Sequence, residues 1–187
     1  NAHEALFNSE KLLRNIFDNV QVGVELYDRE GYLVDLNNKD LEIFGLKTKE
    51  AVLGVNFFRN PLVPGEIREN VRNGQEQAFK LDYHFNRLDG YYSSGKNGNV
   101  QIYTTVTMLY DMYGELINFV VINIDNTEIN EAYSRLAEFE SSFSLVSRFG
   151  KVGYARFDLM TRDGYAVPQW FHNLGEESDT PMPQVIG

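Results

Sequence analysis

The chain has 187 residues, 43% apolar and 13% aromatic, with no cysteine and a formal net charge of −10. That is enough apolar mass for one well-buried domain with some chain left over, and it excludes disorder throughout. The lack of cysteine removes disulfides, thiolate zinc sites, cysteine nucleophiles and iron–sulfur clusters, and the acidic balance argues against nucleic acid or an anionic membrane as partner of this segment. A cysteine-free chain also fits a reducing, cytoplasmic setting. No apolar run approaches the roughly 18 residues of a membrane span, and nothing resembles a signal peptide. If Asn1-Ala2 is a cloning scar, the natural chain continues on both sides, and the full-length protein could be membrane-associated.

In chain order, residues 5 to 20 carry Leu6, Leu13, Ile16, Phe17 and Val20 at helical spacings, with Asn8 or Ser9 able to cap an inner start. From Val22 to Asn37 the period drops to two. Val24 to Asp28 and Tyr32 to Leu36 alternate around the turn Arg29-Glu30-Gly31, which predicts a hairpin. Asn37 or Asn38 then caps a short helix that stops at Gly45, and a second short helix covers about 48 to 53. Asn56 to Pro64 reads as an irregular loop exposing Phe57 and Phe58, followed by a helix over 66 to 73. Phe79, Leu81, Tyr83 and Phe85 alternate with Lys80, Asp82 and His84 as a strand. A glycine- and asparagine-rich loop leads to a long strand from Val100 to Met112, a turn at Tyr113-Gly114, and a last strand from Leu116 to Asp125. This ββ, short helices, βββ order is not βαβ alternation. It predicts an α+β fold, an antiparallel sheet with short helices on one side and flanking N-terminal and C-terminal helices.

After Asp125 the spacing turns helical. Ile129, Ala132, Leu136, Phe139, Phe143 and Val146 recur at 3 and 4 residues, a narrow heptad seam that suits a partner helix better than a sheet face. A repeat follows. Val152-Gly153-Tyr154-Ala155-Arg156-Phe157-Asp158 echoes Val22-Gly23-Val24-Glu25-Leu26-Tyr27-Asp28, and each is followed by a charged turn ending in Gly-Tyr. His172-Asn173-Leu174-Gly175 reads as the start of a further helix, and the copy dissolves into Glu176 to Pro183. Two strands are too few to bury a core alone.

Three features together resemble the PAS family of sensory domains. They are the hairpin followed by Asn37, the Gly45-to-Gly54 stretch with Glu50 between, and Asp125-Asn126-Thr127, which is similar to that family's Asp-x-Thr signature at the end of the core. The likeness covers about residues 10 to 127 and, truncated, 152 to 175. The longer loop at 87 to 99 and the prolines Pro61 and Pro64 depart from it. It implies an N-terminal helix over 1–21, a five-stranded antiparallel PAS domain over 22–127, a signalling helix over 128–149 and the truncated start of a second PAS domain over 150–187. Asp125 and Thr127 would couple the core to the output helix, with Asp125 and Glu128 at capping-box spacing.

The resemblance also directs attention to the interior for a site. Counting back from Asp125 by twos puts Asn123, Val121 and Phe119 on one face, which the flavin-binding members imply is inward. Ile102, Thr104, Val106 and Met108 form the corresponding face of the long strand. Phe44, Phe57, Phe58 and Tyr83 complete the expected wall of a ligand site. A buried Asn123 needs a partner, whether a ligand, a water or Thr104, and a filled core is the competing expectation. The motifs identify no cofactor. A cysteinyl–flavin adduct is excluded by composition, and haem is disfavoured because residues 37 to 74 hold no His. A small organic ligand, or none, remains. His3, His84 and His172 have no metal-ligand spacing, so no metal site is expected, and no nucleotide loop or catalytic set is legible. The expected function is signal input, not catalysis. It would be relayed through residues 128 to 147 to an effector, by resemblance most often a sensor histidine kinase of a two-component phosphorelay. A homodimer would form through the helices, at Ile129, Leu136, Phe139 and Phe143. The alternative is a PAS module with a filled core that serves only dimerisation or protein–protein contact.

Overall fold

A computed structural model describes residues 2–158, 160–161, 164–178 and 180–181. The chain forms two compact units, Asn1–Asn130 and Glu131–Gly187. The first begins with α1 (Ala2–Asn19), one continuous helix with no inner start at Asn8 or Ser9, and continues through the hairpin β1 (Gly23–Asp28) and β2 (Leu33–Leu36). Next come α2 (Asn38–Phe44), 3-10 turns at Lys49–Ala51 and Phe57–Arg59, and α3 (Gly65–Arg72). The long strands β3 (Gln77–His84), β4 (Asn99–Tyr110) and β5 (Leu116–Asp125) complete it. They form one five-stranded sheet in the order β2-β1-β5-β4-β3, with every neighbour antiparallel.

Local chemistry explains most boundaries. Gly45 ends α2 in the left-handed conformation (φ 63°), which a Cβ would oppose. β4 stops at Tyr110, two residues short of the expected Met112, because Asp111 accepts from the Tyr113 and Glu115 N–H groups and closes the turn. The expected helix at 48 to 53 contracts to a single 3-10 turn. The free side of β2 is covered where the Leu33 N–H donates to Val55 and the Gly54 N–H to Leu33, so this edge is not left open.

The period-two faces of β4 and β5 set the core. Val100, Ile102, Thr104, Val106 and Met108 are buried on β4, and Phe119, Val121 and Asn123 on β5. Tyr27 stacks on Phe119 with centroids 5.1 Å apart, and Phe57 meets both edge-on at 5.5 Å. Phe57 is therefore a core residue and not an exposed loop residue: the Asn56 side chain accepts from Phe58 N–H and starts the tight turn that aims Phe57 inward. Phe58 is partly buried and lies under the Arg72 guanidinium at 4.6 Å.

The second unit holds the rest of α4 (Thr127–Gly150), the hairpin β6 (Ala155–Phe157) and β7 (Gly164–Ala166), and α5 (Pro168–Leu174). The repeat is structural as well as sequential, since strand, strand and short helix recur and both helices end on a left-handed glycine, Gly45 and Gly175. Gly175 therefore closes a helix that began at Pro168, and His172 belongs to its last turn, not its first. Proline at the first helical position costs no hydrogen bond. Gly23 and Gly153 play one role in the two copies: a Cβ on Gly23 would come within 2.4 Å of Asp40 Oδ1, and one on Gly153 within 2.6 Å of the Trp170 backbone. Arg162 and Asp163 of the second hairpin turn, and residues 182–187, lie outside the described residues. Among the described residues no helix is long and apolar enough to cross a membrane.

Candidate functional site

The site starts from Asn37, fully buried between β2 and α2. Its Oδ1 accepts from the Asp40 and Val24 N–H groups, both at 3.0 Å, and its Nδ2 donates to Phe17 O and Val22 O, both at 2.9 Å. One amide therefore joins the end of α1, the start of β1 and the first turn of α2. Salt bridges from Arg14 to Asp35 (2.6 Å) and from Lys49 to Asp18 (3.4 Å) fasten α1 further, and Lys49 also pairs with Asp35 (3.1 Å). Burial alone would raise the Asp35 carboxyl, but Arg14 and Lys49 overcome it and hold it below the usual range.

Asn37 fixes where Asp40 points. Asp40 is fully buried, its Oδ1 accepts from Asn123 Nδ2 at 3.1 Å, and its Oδ2 has no partner. Asn123 in turn accepts from the Thr104 hydroxyl at 2.9 Å. Glu25 on β1 completes the group, accepting from the Tyr27 hydroxyl at 3.1 Å and interacting with the Asp40 carboxyl. Burial, the nearby Asp40 charge and the hydrogen bond to Asp40 push Glu25 well above the usual carboxylate range. Burial pushes Asp40 up to about 6, with the hydrogen bonds from Asn123 and Glu25 holding it down. The two carboxyls compete for a shared proton, each holding it more tightly than a free carboxyl would. Among the described residues no Lys, Arg or His forms a salt bridge to either carboxyl.

Of these groups Glu25, Thr104 and Asn123 line the polar end of a cavity in the core, while Asp40 and Asn37 are not on its wall; the cavity holds about 40 Å³, room for about three water-sized atoms. Of the residues expected at a ligand site, Phe44, Phe57, Tyr83, Thr104, Val121 and Asn123 line it. Phe58, Val106 and Phe119 do not: Val106 and Phe119 belong to the packed core behind it, and Phe58 packs against that core from outside. Sequence reasoning missed Glu25, Tyr27, Tyr91 and Tyr92. Tyr91 and Tyr92 belong to the loop that departs from the family pattern, which folds back so that the Tyr91 hydroxyl donates to Asn56 O at 2.9 Å. Burial raises the hydroxyls of Tyr83, Tyr91 and Tyr92 far above the usual tyrosine range, and the Tyr92 hydroxyl has no partner.

Two residues beyond the polar end, where Ile102 pairs with Asp125, β5 leads to the start of α4. Asp125 Oδ1 accepts from the Thr127 N–H at 2.9 Å, an Asx-type cap two residues on, so the expected reciprocal box with Glu128 is not how this start is capped. Gln101 on β4 holds the same turn: its N–H donates to Thr127 Oγ1 at 3.0 Å, its carbonyl accepts from Asn126 N–H at 2.8 Å, and its side chain accepts from Asn130 at 2.7 Å. Gln101 is next to Ile102, which lines the cavity. Farther along α4, Ile129, Leu136 and Phe139 are exposed, whereas Phe143 is partly buried with its ring 5.6 Å from that of Tyr154. Among the described residues no group of three or more His, Asp or Glu could hold a metal ion.

Comparison with known protein families and with curated sequences finds no match. Comparison with solved structures does. The chain is similar to the PAS domain of an HTR-like protein from Haloarcula marismortui, with 16% identity and a TM-score of 0.51, over 66% of this chain and 97% of that one. It is also similar to an RNA-binding light-oxygen-voltage receptor, with 16% identity and a TM-score of 0.54, over 71% of this chain but only 37% of that longer one. Strand order, short helices on one face and a helix leaving the last strand together define a PAS fold, and residues of the first unit have it.

Proposed function

We propose that this chain is a sensory PAS module in which the interior cavity detects a small organic ligand and α4 carries the response to an effector, a histidine kinase. The observation that carries this reading is the joining of the two ends of the site. A cavity with an unsatisfied polar end opens onto Ile102, and Gln101 beside it holds the first turn of α4 by three hydrogen bonds. A ligand that alters the spacing of β4 and β5 biases that turn, provided it binds the two arrangements unequally. The cavity's volume of about 40 Å³ is well below the roughly 300 Å³ of a pocket for a drug-sized ligand, which supports a small compound over a flavin or haem. The cysteine-free composition rules out a cysteinyl adduct. Residues 150–187 fit the opening of a second PAS domain, with its hairpin and first short helix.

Native mass spectrometry of the freshly purified chain tests this. A retained small compound, lost in Asn123→Leu, supports sensing. No retained compound, together with an Asn123→Leu protein that is more stable and signals normally, refutes it.

The small cavity and the exposed seam favour one other reading, a module whose core is effectively filled and which acts by helix-mediated dimerisation. In that case Leu136→Glu with Phe143→Glu abolishes output while substitutions around the cavity leave it unchanged.

A further inference from the structure

The cavity's chemistry goes beyond the statement that a ligand binds. From the geometry of its polar end we infer that it takes a small organic monocation, a primary amine of a few carbon atoms, whose ammonium meets the Glu25 carboxyl on the cavity wall. This rests on the reading of the cavity as a sensory site.

Four observations lead there. The polar end presents the Glu25 carboxyl, the fully buried Asp40 interacts with it from off the wall, and among the described residues no cationic side chain forms a salt bridge to either. The Tyr92 hydroxyl, on the cavity wall, is buried without a hydrogen-bond partner, and buried polar groups are rarely left so. The remaining wall mixes aliphatic side chains with aromatic ones, Tyr27, Phe44, Phe57 and Tyr83 among them, and aromatic rings attract a desolvated cation. Finally, the space suits about three water-sized atoms, the size of a short alkylamine. An ammonium brings one positive charge and three donors to a wall whose carboxyl has no cationic side chain as partner among the described residues. An anion would meet the Glu25 carboxyl, and a neutral alcohol brings no charge to it. A divalent metal would require more oxygen ligands than this pair supplies.

The test uses the full chain near about pH 7.5, thermal unfolding followed by circular dichroism, and three probes of one shape: n-propylammonium chloride, 1-propanol and sodium propionate, with salt matched. The amine raises the unfolding temperature by about 3–5 °C at roughly ten times its dissociation constant, and the other two shift it by less than about 1 °C. Glu25→Gln weakens the amine response roughly tenfold. If that variant does not fold, Asp40→Asn provides the same readout. Lowering the pH to about 5 also weakens the response, as Asp40 takes up a proton. The other titratable groups near the pair are Tyr27, Tyr83, Tyr91 and Tyr92, all raised and neutral throughout that range. A shift from propanol or propionate equal to that from the amine, or an undiminished response in both variants, overturns the amine assignment while leaving a ligand-binding cavity. No shift from any probe, with no compound retained in native mass spectrometry, overturns the sensory reading as well.

Discussion

Asp40→Asn isolates the buried carboxyl pair on which the site depends. Asp40 is fully buried, and its carboxyl is pushed from 3.8 up to about 6, by burial first, with the Asn123 and Glu25 hydrogen bonds opposing. A carboxyl that holds its proton more tightly in the folded chain stabilises the fold fully below its unfolded value and loses that contribution as pH rises through its folded one. From 3.8 to about 6 this amounts to about 3 kcal/mol, at roughly 1.4 kcal/mol for each pH unit. Asparagine keeps the shape, still accepts from Asn123, offers a donor towards Glu25 and does not titrate. The variant therefore gains about 3 kcal/mol on the wild type as pH rises from about 4 to about 8. Urea unfolding followed by far-ultraviolet circular dichroism reads this. Tryptophan fluorescence does not, because the single tryptophan, Trp170, lies in the second unit. A difference between the two proteins that stays constant within about 0.5 kcal/mol across that range refutes the shared-proton account.

Asn37→Ala removes four hydrogen bonds at a fully buried position and is expected to cost about 2–4 kcal/mol by urea unfolding; a loss below about 1 kcal/mol would mean the amide is not the junction described. Gly23→Ala places a methyl group within 2.4 Å of Asp40 Oδ1, so it destabilises by about 1–3 kcal/mol although the backbone there is ordinary, and Asp40→Asn does not relieve the clash. Leu136→Glu with Phe143→Glu halves the sedimentation mass if the exposed α4 seam joins two copies, and an unchanged mass rules that seam out as the dimer contact.

Much of the fold was legible because the short-range rules agree with the tertiary ones. Asn37 and Gly45 bracket α2 by capping chemistry alone, and the inward set Phe119, Val121 and Asn123 follows from a period of two counted from Asp125. Glu25 escaped because β1 carries apolar residues on both sides. Val24 and Leu26 look towards α1 residues such as Ile16 and Phe17, while Gly23, Glu25 and Tyr27 look inward, so alternation cannot tell the two faces apart. A glutamate two residues from a buried tyrosine on the inner side becomes visible only once β5 is paired with β1, in register Glu25 with Val121. Tyr91 and Tyr92 were hidden for another reason, since a loop's return to the core depends on long-range bonds such as Tyr91 to Asn56. Phe57 and Phe58 are adjacent in sequence, and only the turn started by Asn56 decides which one enters the core.

The central claim is that the state of the cavity is felt at the first turn of α4 through Gln101. Amide hydrogen exchange of Asn126 and Asn130, compared between wild type and Glu25→Gln, tests it. The account predicts that exchange at these two amides changes roughly fivefold or more while the Gly54 and Gly114 amides, off the cavity wall, are unchanged. A change confined to residues lining the cavity, with Asn126 and Asn130 unaffected, would contradict it.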